Sequence, residues 1–192
     1  MTPKGDQAIV LRARDYREAD LLVSLFTKEE GKINGIAKGA KKSKKRFGPA
    51  LEIGSLINLV YENRPERELV LLKEASSLGP LPHWRSSWVT IAVASFALEL
   101  AFKTLPEHQA AHPKFNLLKV FLETLEENDA RSSLLAFQER WLSLLGWEPD
   151  TKICGMCGEI FATKGVQKIL DHYWLHVLGK PLVSRKILDL VQ

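Results

Sequence analysis

The segment Leu78-Gly79-Pro80-Leu81-Pro82 separates two regimes of hydrophobic patterning, so one class of secondary structure cannot serve the whole chain. Its two prolines lack backbone donors and fix φ, and neither a strand ladder nor a helix runs through them. Before the break the pattern is that of short strands. Ala8–Arg14 is rich in β-formers, and Leu21–Phe26 is mostly apolar. Thr27-Lys28-Glu29-Glu30-Gly31 then supplies a hairpin loop whose glycine suits a left-handed position, and Lys32–Ala37 is the return strand. Ser55–Tyr61 alternates Leu56, Asn58 and Val60 against Ile57, Leu59 and Tyr61. The polar turn Glu62-Asn63-Arg64-Pro65-Glu66 leads into Glu68–Lys73. Five short strands fit a small closed barrel better than a sandwich, which usually takes about seven.

After the break the period becomes helical. Trp88–Lys103 is almost wholly apolar and stops near Pro106. Pro113–Glu127 sets Phe115, Leu118, Phe121, Leu122 and Leu125 on one face. Arg131–Leu145 does the same with Leu134, Leu135, Phe137, Trp141, Leu142 and Leu145, and Gly146 is placed to end it. Two shorter helices, Lys164–Leu178 and Ser184–Val191, complete the pattern, with Ser184 as the N-cap of the last. The expected architecture is therefore α+β with two domains: a five-stranded oligonucleotide-binding (OB-fold) barrel over residues 1–79 and an all-helical domain over 80–192.

The net charge of +4 on 192 residues is small, but it is unevenly spread. Residues 31–51 contain no Asp or Glu, while Lys32, Lys38, Lys41, Lys42, Lys44, Lys45 and Arg46 all fall there. Residues 76–153, by contrast, are net negative. Six basic residues between Lys38 and Arg46 repel one another, so they must face water or a polyanion. A solvated loop that only aids solubility is the plain alternative. A phosphate-tracking surface beside a five-stranded barrel is the reading favoured here, with Gly39 and Gly48 leaving the loop supple. Aromatics for base stacking are few: Tyr16, Phe47 and Tyr61. That scarcity predicts backbone contacts with little sequence preference.

Cys154-Gly155-Met156-Cys157-Gly158 has the form of half a zinc site. No second cysteine pair exists, so the ligand count predicts no resident cofactor. The alternative is completion by His172 and His176, one helical turn apart, in a Cys-x2-Cys-x14-His-x3-His spacing. Two cysteines form no disulfide framework, no signal peptide is visible, and a reducing cytoplasm is the expected home. The charge-free run Ser86–Leu98 has 13 residues, short of the ~20 that a membrane span needs. The large apolar residues Trp88, Phe96, Trp141 and Trp147 are expected in the core. No phosphate loop, nucleophile elbow or two-metal carboxylate cluster appears, so no enzymatic activity is expected.

Taken in order, several segments resemble the bacterial recombination mediator RecO family. They are Ala8–Arg12, Glu18–Thr27, Gly31-Lys32-Ile33 and Ala37–Lys42, then Phe137–Pro149 leading into Cys154–Gly158, and finally Leu178–Leu182 with Ser184-Arg185-Lys186. The resemblance implies an OB-fold barrel, a helical domain and, in many members, a four-cysteine zinc ribbon before the last helices. This chain departs there, keeping only a remnant, since the second cysteine pair is missing between Gly158 and Thr163. The resemblance further implies binding of single- and double-stranded DNA and annealing of complementary strands. Implied partners are RecR and the C-terminal tail of single-stranded-DNA-binding protein, so that RecA can load during gap repair. The acidic tail is expected on the helical part. Candidate DNA-binding residues are Lys38, Lys41, Lys42, Lys44, Lys45 and Arg46, with Lys32 from the same acid-free stretch and Arg12 carried by the resemblance. The rival readings are an RNA- or ribosome-associated barrel protein and, less favoured, a nuclease.

Overall fold

The computed structural model describes residues 2–43, 45–64, 68–79, 83–150, 152–161 and 165–190. Lys44, the Pro65-Glu66 end of the expected turn, Pro80-Leu81-Pro82, Thr163, Lys164 and Val191 lie outside the described residues. The chain forms two compact units. One is Met1–Pro82 together with Leu105–Lys119, and the other is His83–Thr104 together with Val120–Gln192.

The first unit holds five strands: β1 (Lys4–Tyr16), β2 (Asp20–Thr27), β3 (Gly31–Ala37), β4 (Leu56–Glu62) and β5 (Val70–Ser77). They close into a barrel in the order β1-β2-β3-β5-β4, with β4 returning to β1. This is the expected five-stranded OB-type barrel. β1 is longer than its β-forming run because it serves two neighbours: Lys4–Ile9 pairs with β4 and Ala8–Tyr16 with β2. A bulge between Val10 and Arg12 bends it between them. Period-two alternation sends Val23 and Leu25, Ile33 and Ala37, and Ile57, Leu59 and Tyr61 into the barrel core. β3 and β5 run parallel with Gly35 opposite Val70. A Cβ on Gly35 would lie 2.8 Å from Leu72 Cδ2, so the missing side chain lets this seam close.

Helices expected only downstream contribute to this unit too. Phe26 points out of the barrel and meets Phe115 edge to face, 5.4 Å between ring centroids. Phe115 lies in the first part of α2 (His112–Thr124). Asn34 donates to Glu107 at 2.7 Å, and His108 N–H to the Lys32 carbonyl at 3.0 Å. Gly31 has the expected left-handed conformation (φ 73°), and a Cβ there would fall 1.9 Å from the Gln109 carbonyl oxygen. The glycine therefore serves both the hairpin and the close approach of the 105–119 segment.

The second unit contains α1 (Trp88–Thr104), the end of α2, α3 (Ala130–Leu144), α4 (Val166–Leu178) and α5 (Ser184–Leu190). Phe96, Leu134, Phe137, Trp141, Tyr173 and Trp174 form its core. Trp141 Nε1 donates to Thr104 Oγ1 at 2.9 Å, and Trp174 Nε1 to the fully buried Gln138 at 2.9 Å. Gly146 follows α3 at φ 90°, as expected for its stop. Two expectations are corrected. Trp88 and Trp147 are not core: Trp88 is 79% exposed because it opens α1 ahead of the buried face, which begins at Thr90. Ser184 is the first residue of α5 and not its cap. The Glu99 carboxylate takes that place, accepting from Val183 N–H at 3.1 Å and Ser184 N–H at 2.7 Å. Among the described residues no helix is long and apolar enough to cross a membrane.

Candidate nucleic-acid interface

The acid-free stretch supplies β3 and then, from Lys38 onward, most of the connection from β3 to β4. That connection is a folded loop built on two short 3-10 turns, Ala40–Lys42 and Gly48–Leu51. Small and apolar residues anchor it: Ala40, Phe47, Ala50 and Leu51 all join the barrel core. The backbone is tied at each end. Gly39 N–H donates to Asp20 Oδ1 at 2.8 Å, Lys41 N–H to the Ala19 carbonyl at 3.1 Å, and Ala75 N–H to the Arg46 carbonyl at 2.8 Å. Within the loop, the Ser43 carbonyl accepts from Gly48 N–H, and the Ser43 hydroxyl accepts from Arg46 N–H. Gly39, at φ 67°, starts the first turn. The suppleness expected of Gly39 and Gly48 is therefore corrected: positive φ at both serves tight turns in a braced loop.

That bracing holds the cations outward. Lys38, Lys41, Lys42, Lys45 and Arg46 are all exposed, and Lys44 lies outside the described residues. Two of them already have partners. Lys41 Nζ is 2.7 Å from Asp15 Oδ2, and the Arg46 guanidinium donates to the Lys38 carbonyl at 2.8 Å while covering the Phe47 ring. Arg12 is exposed in the middle of β1, opposite Ser24 of β2, three residues before Asp15, which meets Lys41 of the loop. Lys32 stands apart. It is the second residue of β3, six residues before Lys38, which at about 3.3 Å per residue is roughly 20 Å away along the strand. It pairs there with Glu107 in an isolated bridge.

The stacking candidates divide. Phe47 and Tyr61 are buried, and burial followed by the nearby Glu30 carboxylate pushes the Tyr61 hydroxyl up. Both are core residues, which corrects their expected role. Tyr16, at the exposed end of β1 with the Arg17 guanidinium over its ring, is the one candidate of the three that stays accessible. Sequence reasoning missed the acidic neighbours Asp15 and Asp20, because only strand pairing brings them beside the loop: β2 with β3 for Asp20, and β1 with β2 for Asp15.

The cysteine pair has a geometry of its own. Residues 152–161 form a tight hairpin in which Cys154 N–H donates to the Glu159 carbonyl and Gly158 N–H to the Cys154 carbonyl, both at 2.8 Å. His172 and His176 on α4 turn toward it, so the sequence pattern's two halves meet.

Comparison with known proteins gives matches over both parts. Residues 1–81 match the family model described as recombination protein O N terminal, and residues 85–167 the one described as recombination protein O C terminal. A DNA repair protein RecO of Geobacter sulfurreducens is 33% identical over 175 residues, covering 88% of this chain and 69% of that relative. Those of Syntrophotalea carbinolica and Geobacter metallireducens are 36% and 38% identical over 84% and 79% of this chain. The chain spans 63% and 62% of the length of those two relatives.

Proposed function

Because this chain belongs to the recombination protein O (RecO) family, we propose that it serves DNA repair and homologous recombination as a mediator without covalent chemistry. In this reading it binds single- and double-stranded DNA and anneals complementary strands in the cytoplasm, at the nucleoid. With RecR it helps load RecA onto DNA coated by single-stranded-DNA-binding protein, whose acidic tail docks on the helical part. The observation that carries the reading is the braced basic loop on the closed barrel. Five exposed cations held outward by a folded backbone offer phosphates a preorganised surface, and counterion release then favours binding whatever the base sequence. The accessible Tyr16 at the neighbouring strand end adds a ring for a base.

The decisive test is annealing of complementary strands pre-coated with single-stranded-DNA-binding protein. Acceleration by the full chain, lost when Lys42 and Lys45 become Ala, is the expected result. Competition of bound DNA by RNA of equal length separates the RNA-binding alternative. Equal competition without annealing would favour that alternative, and Mg²⁺-dependent cleavage that chelator abolishes would favour a nuclease.

A further inference from the structure

The Sγ atoms of Cys154 and Cys157 and one ring nitrogen each of His172 and His176 all lie within 4.8 Å of one another. Cys157 Sγ is 3.3 Å from His172 Nε2, which is itself 3.2 Å from His176 Nε2. Tetrahedral zinc, with Zn–S about 2.3 Å and Zn–N about 2.0 Å, sets neighbouring donors roughly 3.3–3.8 Å apart. The shorter separations sit at that spacing, and a small closure brings in the widest. Two imidazole nitrogens facing each other at 3.2 Å make a hydrogen bond only if one is protonated, whereas a metal ion takes the lone pairs of both.

The surroundings are those of a supported ligand set. Glu159 Oε2 lies 3.5 Å from His172 Nδ1, the carboxylate position that holds a ligating imidazole with its other nitrogen inward. The Tyr173 hydroxyl accepts from Gly155 N–H at 3.2 Å, fixing the turn between the two cysteines. Phe161, buried at the end of the hairpin, packs edge to face on His172 at 5.2 Å. Both cysteines are free thiols, and the spacing of 172 and 176 places both imidazoles on one side of α4.

We propose that Cys154, Cys157, His172 and His176 form a tetrahedral Cys2His2 zinc site that fastens the 152–161 hairpin to α4. Two helix-borne histidines thus replace the second cysteine pair that the resemblance led one to expect. Thiolate and imidazole donors at tetrahedral spacing select zinc over the oxygen-seeking Mg²⁺ and Ca²⁺. Four protein ligands leave no open position, so the ion is structural.

The full chain, prepared with zinc and then desalted, should retain about one zinc per chain by elemental analysis. Cobalt substituted for zinc should show intense tetrahedral visible bands with a thiolate charge-transfer band. His176→Gln and Cys157→Ser should each lose stoichiometric zinc while circular dichroism still reports the helices. Glu159→Gln should weaken zinc binding about 10–100-fold. A zinc-free wild-type chain with a weak octahedral cobalt spectrum would overturn the site. So would zinc retained undiminished by folded His176→Gln, since the cysteines of two chains would then hold it.

Discussion

At the scale of single residues, the charge of the basic loop is spent partly inside the protein. Lys41 faces Asp15 and Arg46 is bound to a carbonyl, while Lys42 and Lys45 are exposed and make no ion pair among the described residues. An exposed ion pair contributes little to stability, roughly 0–1 kcal/mol, so breaking it should cost the fold little. The expected consequence is divided. Lys42→Ala with Lys45→Ala should flatten the slope of log affinity against log salt for single-stranded DNA by about 1.4, from about 0.7 per contact. Asp15→Asn should steepen that slope and tighten binding at low salt, by releasing Lys41 to a phosphate. Fluorescence anisotropy over a salt series reads both. An unchanged slope in the double variant would mean that these lysines only solubilise the loop. The charge run itself was plain from the amino acids. Which cations are already engaged was not, because Asp15 comes within reach only through the β1–β2 ladder.

At the scale of elements, α5 is too short to hold itself together, since a seven-residue helix is marginal in water. Glu99, on α1, supplies what it lacks by accepting from the first backbone donors of that turn. Burial works against ionisation of Glu99, but the hydrogen bonds from Ser184 and Val183, helped by Lys103, hold its carboxyl below the ordinary value. A carboxyl whose pKa is lowered by folding stabilises the protein above its unfolded pKa and loses that contribution as pH falls through the folded one. Glu99→Ala should therefore cost about 1 kcal/mol at neutral pH, the usual value of a lost cap. The gap between variant and wild type in thermal denaturation should narrow as pH falls below the ordinary carboxyl value and through the lowered one. A gap independent of pH would show that Glu99 acts through packing alone. A carboxylate 85 residues away from Ser184 cannot be foreseen as its cap, whereas Ser184 itself, a good N-cap type, was the natural local choice.

At the scale of the whole molecule, the break at residues 78–82 marks where the strand pattern ends, yet residues 105–119 belong with the barrel. That segment covers Phe26 with Phe115 and lays Gln109 against Gly31. Uncovering a buried Phe removes about 1.5–3 kcal/mol of burial. A fragment ending at Gly79 should therefore lose amide protection along the β2–β3 hairpin relative to the full chain, as read by hydrogen exchange. Equal protection in the two would mean that the barrel does not depend on the 105–119 segment. The strands and helices themselves were determined by the sequence, because each buries a face whose period is written in neighbouring residues: two for Ile57, Leu59 and Tyr61, three to four for Leu134, Phe137 and Trp141. The basic run between β3 and β4 was determined in the same local way. The burial of Phe47 and Tyr61, the exposure of Trp88, and the meeting of His172 and His176 with Cys154 and Cys157 were decided only by tertiary structure. Each depends on which surface is brought opposite a residue by distant chain, and a pattern of neighbours carries no record of that.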